Sequence, residues 1–130
     1  MQSPASEQSI AQLRRNSEKE LNARIPDEYI NFLKLTNGLD YNGLIFFACE
    51  TVPIEGFNDR FIEGLVEANL AMRDVERFHN FIVFGDSGES LYVQKPDTGE
   101  YLCLDTISLD QFECFHSFEE MLRSALEAHS

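Results

Sequence analysis

The sequence predicts a single α+β domain, in which an antiparallel-dominated mixed sheet is flanked by helices at both termini and by one helix between strands. The length of 130 residues is typical of one domain. Helical periodicity occurs near both ends and once in the middle, and short apolar segments bounded by turn residues follow one another after residue 80. With 43% hydrophobic residues, the chain has enough apolar material for a core.

Two helices are predicted in the first 40 residues. Residues 7–22 carry a loose apolar stripe, with Ser6 as the candidate N-cap and Ser9 as the alternative. The segment IPDEYINFLKLTNG, residues 25–38, predicts the clearest helix. Proline and two acids occupy its first turn, apolar residues form a wide face, and Asn37-Gly38 is a stop signal.

The rest of the chain predicts a strand, a helix, several strands and a last helix. Residues 58–77 have helical spacing, which starts from Phe61. Ser117 and Glu120 form a capping box at the start of the last helix. Between the third and fourth of the predicted strands, PDTG predicts a type I turn with Gly99 placed for a bulge. The predicted strand regions are 43–54, 80–85, 90–95, 100–104 and 107–117.

The charge is strongly and unevenly negative. The chain has 23 acids and 10 bases, a net charge of −13. Residues 1–24 hold three acids and four bases, so residues 25–130 hold 20 acids and six bases, a net charge of −14. Such a surface attracts basic partners and repels nucleic acid and anionic lipid. The alternative interpretation is that the acids only keep the protein soluble.

Composition also indicates the compartment. No run of about 18 apolar residues could span a membrane, and the first residues lack the apolar region of a signal peptide. The three cysteines are an odd number without a C-x-x-C motif. This pattern argues against a disulfide framework and a zinc site, and it favours a reducing cytoplasm. We therefore expect a cytoplasmic protein without a membrane partner.

The segment GDSG, residues 85–88, resembles the nucleophile motif of serine proteases. That chemistry needs a histidine base, an orienting acid and an oxyanion hole, and a double barrel cannot be built from a chain of this length and helix content. We expect a tight loop instead. In this loop the two glycines allow unusual backbone angles, and Asp86 and Ser87 bond to nearby amides.

The other acids of this region do not form a recognisable metal or catalytic motif. Glu89, Asp97, Glu100 and Asp105 lack the spacing of a calcium loop, and the chain has no Trp to grip a sugar. No phosphate-binding loop or dinucleotide fingerprint occurs. We expect no cofactor, no metal and no nucleic-acid partner.

Strand alternation instead predicts a surface for protein contact. With Leu91, Val93 and their partners on the next strand facing inward, Tyr92 and Tyr101 lie on the opposite face. That face would combine aromatic rings with Glu89 and Glu100. Residues from this hairpin and from the loop after the second helix are the predicted partner-binding residues: Asp40, Tyr41, Asp86, Glu89, Tyr92, Asp97, Glu100 and Tyr101.

Three segments, in the right order, resemble the SUKH superfamily, also called the Smi/Knr family. IPDEYINFLKLTNG resembles the helix that opens its domains, FIVFGDSGESLYVQKPDTGEYLCLD resembles its strand block, and FHSFEEML resembles its closing helix. The resemblance covers about residues 25–128, with residues 1–24 as an N-terminal helix region of the same domain. The central part is closest to a bacterial subgroup often labelled YrhA-like.

This resemblance implies an α+β fold without catalytic residues. It also implies that bacterial members are immunity proteins, each of which binds a cognate toxin domain, often a nuclease, in the cytoplasm of the producing cell. The first hypothesis is therefore a non-enzymatic protein that neutralises a basic toxin domain, as a monomer or weak dimer. The alternatives are a scaffold or regulatory module in cell-envelope signalling, and a small-molecule-binding protein or enzyme that uses a cleft beside the middle helix.

Overall fold

The computed structural model describes residues 2–57, 59–73 and 81–129. Helices and strands follow one another in the order α1, α2, β1–β4, α3, β5–β8 and α4. The helices are α1 (Glu7–Asn16, continued by a π-helical turn at Ser17–Leu21), α2 (Asp27–Leu33), α3 (Leu65–Met72) and α4 (Phe118–Ala128). The strands are β1 (Leu39–Tyr41), β2 (Leu44–Phe46), β3 (Val52–Pro53), β4 (Phe61–Ile62), β5 (Ile82–Asp86), β6 (Ser90–Gln94), β7 (Tyr101–Asp105) and β8 (Gln111–Phe115).

Six of the strands form one sheet in the order β1-β2-β5-β6-β7-β8. Every neighbouring pair in this sheet is antiparallel in the described part of the chain. β3 and β4 form a separate antiparallel pair, and a parallel bridge joins Ala48 to Gly64. The predicted α+β fold with an antiparallel-dominated sheet is confirmed.

One face of the sheet is covered by α2 and α4 through a cluster of aromatic rings. The Tyr29 ring of α2 stacks on Phe84 of β5, with 4.6 Å between ring centroids. The Phe118 ring of α4 meets Tyr29 edge-on at 5.0 Å and Phe46 of β2 at 5.7 Å. Edge-to-face and offset contacts of this kind add to the stabilisation from burial alone. The cluster therefore fixes both helices on the sheet.

The Tyr29 hydroxyl is buried at the centre of this cluster. It donates a hydrogen bond to the Phe47 carbonyl at 2.5 Å and lies 3.4 Å from the Phe84 carbonyl. Both carbonyls lie where β2 ends beside β5, and the Phe47 amide donates to the same Phe84 oxygen at 2.8 Å. Burial raises the pKa of Tyr29 well above its usual value, so the hydroxyl stays a donor.

A side chain of α3 forms hydrogen bonds with the part of β5 that does not pair with β2. The Asn69 side chain is buried, and its amide oxygen accepts a hydrogen bond from the Val83 amide at 2.8 Å. Its nitrogen donates to the Val83 carbonyl, also at 2.8 Å, and to the Leu65 carbonyl. A single side chain thus replaces one residue of a neighbouring strand, because buried backbone groups need partners.

The predicted N-caps of the first and last helices are confirmed. Ser6 caps α1 by accepting a hydrogen bond from the Ser9 amide at 3.1 Å. Ser117 caps α4 by accepting from the Glu120 amide at 3.1 Å. The Glu120 carboxylate reaches back to the His116 amide at 3.0 Å, one residue earlier than in a standard capping box.

The predicted turn between β6 and β7 is also confirmed. Gly99 has a φ of +76°, which favours glycine, and its amide donates to the Lys95 carbonyl at 2.7 Å. The Lys95 amide donates to the Glu100 carbonyl at 2.9 Å. Local sequence therefore determines this turn.

The predicted helix at 58–77 is wrong in its first part. Phe61 lies in β4 and is exposed, and the helix starts only after Gly64. A Cβ on Gly64 would collide with the backbone of Glu50, so glycine allows the two segments to pair closely. Non-local pairing thus replaces helical structure in this segment. Residues 74–77 of the predicted helix lie outside the described residues, and so does residue 80 of the next predicted strand.

Replacing Tyr29 with Phe keeps the ring cluster and removes the buried hydroxyl. We expect a loss of about 1–3 kcal/mol in the free energy of unfolding, because the Phe47 carbonyl loses its donor. Urea denaturation measures the change. Tyr41→Phe is the matched control, since Tyr41 is exposed and its replacement should change stability by less than about 0.5 kcal/mol. Equal effects of the two replacements would contradict a special role for the Tyr29 hydroxyl.

Candidate protein-interaction surface

The GDSG segment forms the tight turn between β5 and β6. The Ser87 hydroxyl oxygen accepts a hydrogen bond from the Ser90 amide at 3.2 Å, and Asp86 accepts from the Gly88 amide at 3.2 Å. Gly88 has a φ of +87°. Gly85 lies in extended backbone instead, and glycine is needed there because a Cβ would meet the Ile45 carbonyl. The prediction of a tight loop is confirmed. Gly85, however, is required by its close approach to Ile45 and not by an unusual backbone angle.

No described histidine hydrogen-bonds to Ser87. His116 is exposed, and the ring of His129 donates to the Ala125 carbonyl at 2.9 Å. His79 lies outside the described residues. Within residues 2–57, 59–73 and 81–129, no three histidine, cysteine or acidic side chains lie close enough to hold a metal ion. Ser87 therefore stabilises the β5–β6 turn in this structure.

The prediction that Tyr92 and Tyr101 lie on an exposed face is wrong. Each is only 4% exposed, because helices cover the face of the sheet that sequence alternation left open to solvent. Tyr92 packs on Phe46 at 5.6 Å between ring centroids, and Tyr101 packs on Phe118 at 6.3 Å. Burial raises the pKa of each hydroxyl to about 12. Both rings belong to the core.

The predicted acidic residues of the hairpin lie at opposite ends of the sheet. Asp86 and Glu89 flank the β5–β6 turn, whereas Asp97 and Glu100 belong to the β6–β7 turn. β6 separates the two turns, and its five residues span about 16 Å. These acidic residues therefore form two separate surfaces, where the sequence predicted a single one.

Asp40 and Tyr41 lie at the same end of the sheet as Asp86. They form part of β1, where the sequence predicted a loop. Asp40 pairs with Ile45 of β2, and Ile45 pairs with Asp86 of β5. Two strand spacings separate the two aspartates, a backbone distance of about 10 Å.

The β1–β2, β5–β6 and β7–β8 connections all lie at this end, because the Thr106 amide donates to the Glu89 carbonyl and Ser90 pairs with Asp105. We call this region the loop end. Its acidic and exposed apolar residues are Asp40, Tyr41, Asp86, Glu89, Asp105, Ile107, Asp110 and Phe112.

The loop end presents two large exposed apolar side chains that the sequence did not identify. Ile107 is 80% exposed and Phe112 is 59% exposed. Together with Glu89 and Asp105 they line a pocket of about 280 Å³ between the β5–β6 turn and the β7–β8 loop. Exposed apolar groups with a polar rim are typical of protein-binding sites.

Asp105 organises the loop that carries Ile107. One of its carboxylate oxygens accepts hydrogen bonds from the Ser108 amide at 2.8 Å and from the Ile107 amide at 2.9 Å. These two hydrogen bonds lower the pKa of Asp105, and the bond from the Ser108 amide has the larger effect. Leu109 follows with a φ of +61°, a left-handed angle that is uncommon for a non-glycine residue. An aspartate followed three residues later by a serine, Asp105 and Ser108, is the sequence signal that could have located this turn.

The charges of the loop end are mostly unpaired. Asp40 is the exception, since it forms an ion pair with Arg60 at 2.9 Å, and the same Arg60 lies over the Phe57 ring. By contrast, Asp86, Glu89 and Asp110 form no ion pair with another described residue. Uncompensated acids of this kind give the loop end a negative potential.

Comparisons with known proteins agree with this architecture. The model of the SMI1/KNR4 family (SUKH-1) matches residues 4–124. The chain matches no curated protein. Within the described residues, no helix has the length and apolar character needed to cross a membrane.

The hydrogen bonds to Asp105 predict a dependence of stability on pH. Its pKa is lowered in the folded state, so the stabilisation is present above the usual value of 3.8 and is lost as pH falls through the folded pKa. Asp105→Asn keeps an acceptor oxygen without the charge. We expect the stability difference between about pH 6 and pH 3 in urea denaturation to be smaller in Asp105→Asn than in the wild type.

Asp97→Asn is the matched control for this comparison. Asp97 is an exposed turn residue that accepts no hydrogen bond from the rest of the described chain. Its replacement should leave the pH dependence of stability as in the wild type. An equal change in both variants would contradict a specific contribution from Asp105.

Proposed function

We propose that this chain, which belongs to the SMI1/KNR4 family (SUKH-1), is a non-enzymatic immunity protein that binds and neutralises a basic toxin domain. Proteins of this family typically bind toxin partners. The partner is then a protein, encountered in the cytoplasm of the cell that makes both. The loop end is the surface that we assign to this contact.

The observation that carries the proposal is the composition of the loop end. Ile107 and Phe112 supply exposed apolar area, and Glu89 and Asp110 supply charge that no described cation compensates. Apolar area is needed for affinity, because water leaves it on binding. Acidic side chains around it select a basic partner and speed its approach.

The mechanism requires only that the toxin's active surface be covered. A toxin that cleaves nucleic acid needs basic residues to hold phosphates. A protein with a net charge of −13 competes for the same basic residues and is drawn to them over long distances. Six strands span about 24 Å across the sheet, so the loop end is wide enough for a contact of ordinary size.

Growth protection tests the proposal directly. The toxin domain encoded beside this chain's gene is expressed from an inducible promoter, with or without the chain. We expect induction to stop growth and co-expression of the chain to restore it. A source genome without such a neighbouring gene, or a toxin that stays lethal in the presence of the chain, would contradict the proposal.

Charge reversal tests the assignment of the loop end. Glu89→Lys combined with Asp110→Lys should lower the association rate constant for that toxin domain by about tenfold at low ionic strength, with a smaller effect at high salt. Stopped-flow fluorescence or surface plasmon resonance measures the rate. Both side chains are exposed, so the variant should unfold at the same urea concentration as the wild type.

Two further double variants serve as controls with the same change in net charge. Glu18→Lys with Glu20→Lys changes the exposed π-helical turn after α1, and Asp97→Lys with Glu100→Lys changes the opposite end of the sheet. We expect a smaller decrease in rate from both. If the β6–β7 turn variant is the slowest, the contact lies at that end and the loop end is the wrong assignment.

A further inference from the structure

β8 is an edge strand of the main sheet. It pairs with β7 on one side, and no strand of the described chain lies on its other side. Its first four residues, Gln111–Cys114, are exposed. An open edge of this kind offers backbone hydrogen-bonding groups to another extended chain.

The hydrogen-bond pattern shows which backbone groups of β8 point outward. The Lys95 amide donates to Glu100, and the Thr106 amide donates to Glu89, so the even-numbered residues of β7 bond to β6. The odd-numbered residues of β7 therefore bond to β8, in agreement with the bond from the Asp105 amide to the Asp110 carbonyl.

The register between β7 and β8 completes this assignment. Cys103 pairs with Glu113, and Tyr101 pairs with Phe115, so the backbone groups of Glu113 and Phe115 point toward β7. The register shifts between Cys103 and Leu104, so Phe112 is the extra residue of a β-bulge. Leu104 and Leu102 bond to β6, so the backbone groups of their β8 partners, Gln111 and Cys114, point away from the sheet. β8 thus has two outward-facing amide and carbonyl pairs, one on each side of the bulge.

The surroundings of this edge are acidic. Glu113 lies on the strand itself and Asp110 immediately precedes it, and both are exposed. The Cys114 thiol donates to the Glu100 carboxylate at 3.5 Å, which places a third acid beside the strand. None of these three acids forms an ion pair with a described residue.

We propose that the open edge of β8 binds an extended, basic segment of the partner protein, which adds a seventh strand to the sheet. The inference rests on the proposed function in taking the partner to be a basic protein. Main-chain hydrogen bonds to Gln111 and Cys114 provide part of the affinity, and the alternate side chains of the added strand provide charge selection.

Charge complementarity favours this occupant over a second copy of the chain. Pairing of two β8 strands would bring two copies of Glu113 and Asp110 together in a protein that already carries a net charge of −13. Like charges across a strand pair are destabilising. A segment with Lys or Arg at alternate positions instead places cations beside Glu113.

Synthetic peptides test the edge without any toxin. The probe is a blocked peptide of about seven residues, Ac-KTKVKTK-amide, titrated into the full ¹⁵N-labelled chain at low ionic strength. We expect binding at millimolar concentration or tighter and, at saturation, about tenfold slower hydrogen exchange of the Gln111 and Cys114 amides. The matched peptide with Glu in place of every Lys should not bind.

Removal of the backbone donors separates strand pairing from simple charge attraction. Cys114→Pro deletes an outward amide without a bond to β7, and Cys114→Ala is its control because it keeps that amide. We expect the proline variant to lose the slowed exchange at Gln111 and the alanine variant to keep it. If the proline variant does not fold, the KTKVKTK peptide with N-methyl groups at alternate amides tests the same bonds from the other strand.

Three results would overturn the proposal: no binding of the basic peptide at about 1 mM, binding whose spectral changes lie away from β8, or equal binding of the N-methylated peptide. None of them depends on growth protection by the chain. If the chain restores growth but its β8 edge binds no basic peptide, only the added strand is refuted. If the peptide binds at β8 but the chain does not restore growth, only the toxin assignment is refuted.

Discussion

The buried hydroxyl of Tyr29 is the contact on which the arrangement of this protein depends. Its ring joins α2, β5 and α4, and its hydroxyl bonds to a carbonyl at the point where β2 ends beside β5. Beyond that point the edge of β5 is completed by the side chain of Asn69 from α3. Polar groups that satisfy one irregular place in the sheet therefore position α2 and α3, and the Tyr29 ring in turn holds α4. A uniform strand pair would have offered no such anchor.

Coverage of the sheet by helices restricts where recognition can take place. The strands β6 and β7 are buried on both faces, from Leu91 to Val93 and from Tyr101 to Leu104. Their acids are consequently confined to the turns and to the open edge, since an unpaired carboxylate is costly to bury. The acids between Asp86 and Glu113 thus lie at the two ends of the strands and along β8. The loop end differs from the other end of the strands because it also presents Ile107 and Phe112.

Features fixed by local sequence were predicted well, and features fixed by non-local pairing were not. The caps at Ser6 and Ser117 and the turn at Gly99 depend on neighbouring residues alone, so a short pattern was sufficient to find them. The burial of Tyr92 and Tyr101 depends on rings that are distant in sequence, Phe46 of β2 and Phe118 of α4. Of the predicted binding residues, Asp40, Tyr41, Asp86 and Glu89 share one end of the sheet, but their strand register was needed to show it.

The loop end and the β8 edge are continuous, which gives the two proposed contacts a common physical basis. Phe112 lines the pocket of the loop end and lies on β8 next to the outward-facing Gln111, and Asp110 joins the two regions in the chain. A partner attracted by the unpaired acids would first meet exposed charge, where long-range attraction acts before contact. Desolvation of Phe112 and Ile107 and pairing along β8 act only at contact, so they govern how slowly the complex dissociates. Rapid capture and slow release are then supplied by different groups, and each can be changed without the other.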